Sequence, residues 1–445
     1  MNNNKGITYS IYIYNSVEEE WDFISSNKKV SQKKMIHDSN RFADCYLFAN
    51  AFLPSFAYIS PVEISDEFKN YYENLSKNSC SIFVPKKTTP FICDNIVGDK
   101  KVFSTIVSEA KKRGSLTMYA YVMTQKVFNL KRKFEQSGIP VYIPEAPEEK
   151  NVWTISHFGS KDGFRLSFSP LMPPGSVEYD YKTVPKKASL MFHSSPGVVL
   201  KTNNGDAGQG VYILKKREIG TKKKLLIKLK ELFRQNTFLK KNPLILETYI
   251  DTKKEKRSPF PSVECFIHQN GRIEIPYFCN MIVTPEGEFY GMEMHSSVFT
   301  KKVEREVLKI TMKIANTYRD AGFRGRFDID MINDGNKVYA DESNTRTNGG
   351  TDTYLIAKKL LGKNFLSERY ILSSYIDLPK KIVPSFSTIK RLFSPYLYSK
   401  KTKTGLIINS ESVIKNGGFS YILVENNKKK TVQLDKMVKT LLTNK

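Results

Sequence analysis

Hydrophobic residues in the first 150 positions occur in short runs that alternate between a strand period and a helix period. In chain order these runs are a strand at 7–14, a helix at 101–114, a strand at 116–123, a helix at 124–138 and a strand at 139–145. Gly114 is the last residue of the first predicted helix and is expected to end it. Because strands that alternate with helices form parallel sheets, the pattern predicts an α/β domain over residues 1–150.

The pattern changes after a polar stretch at 146–151, which is a candidate linker. Two strand-like runs, at 196–202 and 211–216, flank a glycine-rich stretch, and this arrangement is typical of a hairpin. An amphipathic helix with outward lysines follows at 221–236, and another strand at 243–250.

Residues 262–294 read as short strands separated by glycine turns, which favours an antiparallel sheet. An apolar stripe with helical spacing then runs from Val303 to Tyr318 and is expected to end before Gly322. Two further strands, at 324–332 and 337–344, are joined by the turn residues NDGN. These elements predict a central α+β domain at 151–375 and a small C-terminal domain at 376–445.

Composition sets broad limits on the class of protein. The chain has 445 residues and a formal net charge of +25, but its lysines are dispersed and no RNA-binding or zinc-finger pattern occurs. Nucleic-acid binding is therefore the less favoured alternative, and an acidic protein partner fits the charge equally well. No apolar run is long enough to span a membrane and no signal-peptide pattern begins the chain, so we expect a cytoplasmic protein without membrane contact.

The five cysteines are widely separated and show no CxxC spacing. They predict free buried thiols and no zinc site.

The glycine-rich stretch NNGDAGQG occupies 203–210 and contains Gly205, Gly208 and Gly210. Phosphate-binding glycine loops of the Rossmann and P-loop types open a helix, whereas a strand follows here. Backbone amides of a glycine hairpin can still cover a phosphate chain, although an ordinary turn is the alternative. Lys201 precedes this loop, and Lys161 lies in a turn that opens an earlier element.

Acidic residues gather on the predicted hairpin of 324–344. Side chains alternate along a strand, so Glu342, Asn344 and Arg346 should share one face. Asp330 lies on the preceding strand, close enough for it and the Glu342/Asn344 pair to hold one cation. Oxygen ligands without histidine or cysteine favour magnesium.

These motifs, in the order VVLKTNNGDAGQGVYIL, LILETYI and FRGRFDIDMINDGNKVYADESNTR, resemble the ATP-grasp superfamily over about residues 155–360. The stretch GSKDGFR and the ending ESNTR are most similar to pheganomycin-type peptide ligases and to the butirosin-pathway ligase that loads an amino acid onto an acyl carrier protein. The resemblance implies an ATP-grasp fold with a preceding N-terminal α/β domain.

The resemblance also implies a role for each matching residue. Lys161 and Lys201 would hold the α and β phosphates of ATP, and the loop, including Gln209, would close over the β and γ phosphates. Adenine would meet Glu247 and the backbone up to Tyr249 and Ile250, and Asp251 and Glu264 are alternatives for the ribose. Two magnesium ions, with manganese as a substitute, would bind Asp330, Glu342 and Asn344. Arg346, Arg326 and Lys201 would be the catalytic residues.

The implied reaction is ATP-dependent joining of a carboxylate to an amine, such as an amino acid or peptide, through an acyl phosphate. Peptide natural-product synthesis, loading of an acidic carrier protein and modification of an acidic protein tail are the alternatives, together with a non-catalytic ATP sensor. The sequence identifies neither the acid nor the amine, and it gives no oligomeric state.

Overall fold

The computed structural model of the protein describes residues 8–203, 210–240, 243–255, 257–379 and 384–443. Within these ranges the strands form three sheets of five, four and eight strands, and the mixed α/β class predicted from the sequence is confirmed. No helix in these ranges has the length and apolar character needed to cross a membrane.

The N-terminal sheet is parallel throughout, as the alternating pattern predicts, with strand order β3-β2-β1-β4-β5. Its strands are β1 (Tyr9–Ile13), β2 (Phe56–Ile59), β3 (Cys80–Phe83), β4 (Leu116–Ala120) and β5 (Val141–Tyr142). The predicted helix beside it begins after Asp99, whose side chain accepts hydrogen bonds from the N–H groups of Lys101 and Val102. It ends at Gly114, where a φ of 79° is easily adopted by glycine.

The second sheet belongs to a small lobe at residues 175–248. Its order is β6-β9-β7-β8, with β6 (Gly175–Glu178), β7 (Gly197–Thr202), β8 (Val211–Lys215) and β9 (Leu244–Thr248). β7 and β8 pair antiparallel, so the predicted hairpin around the glycine stretch is confirmed. The amphipathic helix packs Leu225, Leu229 and Phe233 into the core of this lobe.

The largest sheet has the order β14-β13-β10-β11-β12-β15-β17-β16 and is antiparallel. Its strands are β10 (Pro261–Ile267), β11 (Ile273–Val283), β12 (Phe289–Met294), β13 (Gly325–Asn333), β14 (Val338–Asn344), β15 (Tyr370–Asp377), β16 (Gly405–Ile408) and β17 (Gly418–Glu425). The last 70 residues, expected to form a small appended domain, thus contribute β16 and β17 to this same sheet.

Helices cover the sheets and connect them. They are α1 (Ser16–Ser25), α2 (Lys29–Asn40), α3 (Asp66–Ser76), α4 (Ile92–Gly98), α5 (Lys100–Arg113), α6 (Gln125–Gln136), α7 (Trp153–Gly159), α8 (Lys161–Phe168), α9 (Val184–Ser194), α10 (Lys216–Ile219), α11 (Lys222–Gln235), α12 (Lys301–Asp320), α13 (Thr351–Leu361), α14 (Phe365–Glu368), α15 (Phe386–Leu392), α16 (Glu411–Lys415) and α17 (Lys428–Thr443).

The five cysteines are free and buried, as predicted.

Two buried aspartates, Asp44 of the N-terminal region and Asp352 of the central region, hold the segment that follows β16. Asp44 accepts hydrogen bonds of 2.7 Å from the N–H groups of Glu411 and Ser412, at the start of α16. Asp352, at the start of α13, accepts one of 2.9 Å from the amide of Asn409. Burial raises the pKa of Asp44 to about 6 and that of Asp352 to about 7, although these hydrogen bonds oppose the shift.

We expect an Asp352→Asn variant to lose part of the pH dependence of folding stability. A carboxyl group whose pKa is higher in the folded state stabilises the fold below about pH 4 and loses that contribution as the pH rises to about 7. The wild-type free energy of unfolding should therefore decrease from pH 4 to pH 7 relative to that of the variant, because asparagine does not titrate. Urea denaturation at pH 4, 5, 6 and 7 measures this difference.

The matched control is Asp320→Asn, because the Asp320 side chain is 66% exposed beside Arg319. Its stability should follow that of the wild-type protein across the same pH range. Parallel wild-type and Asp352→Asn curves would contradict a raised pKa for Asp352.

Candidate active site

The acidic hairpin pairs as the sequence predicts. In the register of β13 and β14, Asp330 lies opposite Glu342 and Asp328 opposite Asn344. The Asn344 amide lies 2.9 Å from Asp328 Oδ1 and 3.4 Å from Asp330 Oδ2, so these three side chains share one face. The sequence interpretation passed over Asp328, although its position two residues before Asp330 places it on that face.

A β-bulge adds one more acid to this edge. The register shifts between these residues of β13, because Asp330 pairs with Glu342 and Met331 pairs with Ala340, and Asp341 is the extra residue on β14. Strict alternation would direct Asp341 away from Glu342, whereas its Oδ1 lies 2.6 Å from Lys201 Nζ in the site. Neither the period nor the spacing predicts the bulge, and for this reason Asp341 was missed.

Both predicted phosphate-binding lysines reach the acidic edge from other elements. Lys161 is the first residue of α8, which begins after the capping hydroxyl of Ser160, and its Nζ lies 2.8 Å from Glu342 Oε2. Lys201 is on β7 of the small lobe, and besides Asp341 its Nζ contacts Glu247 Oε2 at 2.9 Å. The site therefore lies where the small lobe faces the eight-stranded sheet.

The carboxyl groups of this site differ in the direction in which their pKa values are shifted. The pKa of Glu342 is lowered, because Lys161 and Lys201 outweigh the effect of burial. Burial raises the pKa of Asp330 well above its ordinary value, and the nearby Asp328 and Glu342 raise it further. Burial would lower the pKa of Lys201, but Asp341, Glu247 and Glu342 together raise it. The lysines thus favour the charged form of Glu342, whereas burial and the neighbouring carboxyl groups favour the protonated form of Asp330.

Glu247, the predicted adenine contact, is 2% exposed. Its carboxylate binds Arg165, to which the sequence interpretation gave no role, on one side and Lys201 on the other. The side chain therefore orients Lys201, and an adenine contact here is left to the backbone that continues to Tyr249 and Ile250. The Tyr249 N–H already donates to the carbonyl of Gly197.

The two ribose alternatives lie in different surroundings. Glu264 is fully buried on β10, and its carboxylate contacts Tyr277, Asn348, Thr351 and Arg326. These contacts argue against a ribose role for Glu264, since both oxygens already have protein donors. Asp251 lies in the segment that follows β9, three residues after the strand ends at Thr248, and it stays the predicted ribose ligand.

The two candidate catalytic arginines both contact glutamates of the N-terminal domain. Arg326 binds Glu145 through two contacts of 2.9 and 3.1 Å, and it also contacts Glu264. Arg346 binds Glu19 of α1 at 2.6 Å and donates to Asn344 Oδ1 at 3.2 Å. Arg346 therefore borders the acidic edge, whereas Arg326 lies beside it and is neutralised by two carboxylates.

Only the ends of the predicted phosphate loop lie within the described residues, and Gly205, Gly208 and Gln209 fall outside them. Gly210 has a φ of 80°, and a Cβ there would lie 2.1 Å from the Thr202 hydroxyl, so this position requires glycine. At the other end, the Asn203 side chain accepts a hydrogen bond of 2.8 Å from the N–H of Asp162. The start of the loop is thereby attached to the helix that carries Lys161.

The arrangement of the sheets agrees with the ATP-grasp fold that the resemblance implies, and solved structures of enzymes with this fold are similar to the chain. An ADP complex of N5-carboxyaminoimidazole ribonucleotide synthetase is 10% identical, covers 98% of both chains and has a TM-score of 0.58. The Staphylococcus aureus N5-carboxyaminoimidazole synthetase with ADP is 12% identical over 99% of both chains, with a TM-score of 0.57. Biotin carboxylase from Campylobacter jejuni is 11% identical over 97% of this chain and 91% of its own, with a TM-score of 0.57.

These similarities show the fold alone. No protein-family model and no curated protein matches the sequence. The narrower resemblance to pheganomycin-type and butirosin-pathway ligases is not supported by the comparisons.

Proposed function

We propose that this protein is an ATP-dependent ligase that releases ADP while it joins a carboxylate to an amine through an acyl phosphate. The observation that carries the proposal is the arrangement of Lys161 and Lys201 against Glu342 and Asp341, between the small lobe and the acidic edge of the large sheet. A cation pair facing partly buried carboxylates suits a metal–nucleotide complex, in which phosphates bind the lysines and the metal binds the acids. Two of the similar structures hold ADP.

Asp330, Glu342 and Asn344 fit a magnesium site. Asp330 Oδ1 is buried and makes no hydrogen bond within the described residues, and such an orphaned acceptor suits a cation. In the described part of the chain no three acidic, histidine or cysteine side chains gather to hold a metal by themselves. Magnesium does not require such a cage, because it usually takes one or two carboxylates and completes its shell with phosphate oxygens and water. When bound, it would offset charge on the phosphate oxygens.

The chain's own residues would promote two steps, phosphoryl transfer to the substrate carboxylate and attack of the amine on the acyl phosphate. In the first, a substrate carboxylate oxygen bonds to the γ-phosphorus of ATP, the bond from that phosphorus to the bridging oxygen breaks, and ADP leaves. Arg346 borders the metal-binding edge and would stabilise charge on the transferred group, while Lys161 and Lys201 would hold the phosphate chain. In the second, the amine nitrogen bonds to the acyl carbon, phosphate leaves, and the amine loses a proton.

The identity of the acid and the amine is a narrower part of this proposal. We favour a small acid and a small amine, as in peptide natural-product synthesis. An acidic carrier protein or protein tail is the alternative, because Lys222, Lys223, Lys224, Lys228 and Lys230 on α11 all lie exposed on the small lobe. A KM that rises steeply with salt would favour the macromolecular acceptor.

Calorimetry with a non-hydrolysable ATP analogue tests the proposed function. Binding should be clearly measurable with magnesium and much weaker with EDTA, because the acids of the hairpin edge contact the nucleotide only through the metal. A Lys228→Met variant, changed at an exposed lysine of the small lobe, should bind like the wild-type protein. Absence of binding with magnesium, or binding that is indifferent to EDTA, would contradict the proposal.

A further inference from the structure

The guanidinium group of Arg346 comes from the large sheet but is held by contacts from the N-terminal domain. Its Nε lies 2.6 Å from Glu19 Oε2 of α1, and its Cζ lies 5.3 Å from the ring centre of Tyr121, which directly follows β4. The next residue is held in the same place, because the Thr347 N–H donates a hydrogen bond of 2.9 Å to the carbonyl of Tyr121. An acid, an aromatic ring and a backbone carbonyl of one domain thus restrain an arginine of another.

Tyr121 is itself fixed inside the N-terminal domain. Its ring centre lies 5.0 Å from that of Tyr14 and 4.9 Å from that of Tyr46, and all three side chains are buried. Its N–H donates a hydrogen bond of 2.9 Å to the carbonyl of Ile13, at the end of β1. The ring is therefore a rigid support for the guanidinium group.

A different nitrogen of the same guanidinium group contacts the metal-binding edge. Arg346 donates to Asn344 Oδ1 at 3.2 Å, and the Asn344 amide nitrogen donates in turn to Asp328 Oδ1 at 2.9 Å. An arginine side chain is long and can adopt many rotamers, so these acids would attract it if nothing else restrained it. A donor accelerates phosphoryl transfer only when it is already in position as charge develops. The contacts from the N-terminal domain supply that restraint.

We infer that the N-terminal domain completes the active site by positioning Arg346, with Glu19 and Tyr121 as the positioning residues. The inference rests on the proposed function, in which Arg346 stabilises charge on the transferred phosphoryl group. The Glu19 carboxylate binds the guanidinium group at Nε and the Tyr121 ring packs against it, so the nitrogen that contacts Asn344 stays at the metal-binding edge.

The test uses probes that do not require the unidentified acid or amine. Calorimetry with magnesium measures the Kd of ADP and the Kd of ADP with aluminium fluoride, whose AlF4⁻ group mimics the transferred phosphoryl group. The wild-type protein should bind ADP–AlF4⁻ at least about 100-fold more tightly than ADP, as expected of a transition-state mimic.

A Glu19→Gln variant keeps the size of the side chain and removes its charge. It should weaken ADP–AlF4⁻ binding about 10- to 100-fold, the range that a hydrogen bond to a charged group contributes, and should leave the Kd of ADP nearly unchanged. A merely structural role for Glu19 would weaken the binding of both probes alike. The matched control is Glu109→Gln on α5 of the same domain, because Glu109 pairs with Lys112 at the surface, and it should behave like the wild-type protein.

A double variant asks whether Glu19 acts through Arg346. Arg346→Gln alone should also weaken ADP–AlF4⁻ binding, and adding Glu19→Gln should cause no further loss, because the group that Glu19 positions is already absent. The same fold loss from Glu19→Gln in both backgrounds would overturn the inference.

Two variants of Tyr121 test the aromatic contact independently of Arg346→Gln. Tyr121→Leu removes the ring and should weaken ADP–AlF4⁻ binding roughly 3- to 30-fold, whereas Tyr121→Phe keeps a ring and should recover most of that affinity. Thermal unfolding of both variants shows whether they fold. An equal ADP–AlF4⁻ affinity in two folded variants would overturn the role of the Tyr121 ring.

The outcomes separate this inference from the proposed function. Metal-dependent binding of the ATP analogue would leave the proposed function standing, whereas wild-type binding of ADP–AlF4⁻ no tighter than that of ADP would overturn the inference. Equal weakening of both probes in Glu19→Gln would overturn it as well. Absence of nucleotide binding would contradict the proposed function itself.

Discussion

A Glu342→Gln variant is expected to release ADP about 10²- to 10³-fold more slowly than the wild-type protein at saturating ATP and substrate. The Glu342 carboxylate lies opposite Asp330 on the hairpin and contacts Lys161, so it is both a proposed metal ligand and the partner of a phosphate-binding lysine. Glutamine preserves the size of the side chain but removes its charge. ADP release measured over a range of magnesium concentrations reports the change.

The same substitution should leave the fold intact. Glu342 raises the pKa of Asp330, so removing its charge relieves repulsion among buried acids and offsets the lost contact with Lys161. The midpoint of thermal unfolding should therefore shift by only a few degrees. Glu274→Gln is the control, because Glu274 belongs to the large sheet but pairs with His268 and Arg272 away from the site. Nearly normal turnover by Glu342→Gln at low magnesium would contradict the metal role.

Local signals made much of this fold predictable. The turn NDGN predicts the hairpin that brings Asp330 close to Glu342, although their direct pairing depends on the bulge that shifts the register. The alternating runs likewise predicted that the first sheet is parallel, but not its strand order. Strands β2 and β3 were not predicted, because each has only four residues and such short runs carry little periodicity.

Contacts between distant parts of the chain could not be predicted from one sequence. Glu19 and Arg346 are more than 300 positions apart, and α1 gives no local sign that its acid reaches the large sheet. The role of Glu247 is similar: its position on β9 was predicted, but its contacts with Arg165 and Lys201 depend on how α8 packs against the small lobe. Asp341 enters the site only because of the bulge, which no local pattern in the sequence predicts. The missed residues thus hold the predicted ones in place.

This dependence makes Lys201 the residue whose replacement should affect stability and activity together. A Lys201→Met variant is expected to lose up to about 3 kcal/mol of folding free energy, because it removes the cation from the Asp341 carboxylate, whose side chain is 22% exposed. It should also abolish measurable ADP release, since the phosphate chain loses a cation from the small lobe. Urea denaturation and an ADP-release assay measure the two effects on the same preparation.

A double variant, Lys201→Met with Asp341→Asn, distinguishes the two roles of this lysine. Removing the orphaned charge should recover most of the lost stability, because Glu247 keeps its contact with Arg165. It should recover none of the ADP release, because nothing replaces the Lys201 ammonium at the phosphates. Lys228→Met, which changes an exposed lysine of the same lobe, should alter neither property. Recovery of turnover in the double variant would mean that Lys201 only neutralises Asp341, and the proposed phosphate contact would then be wrong.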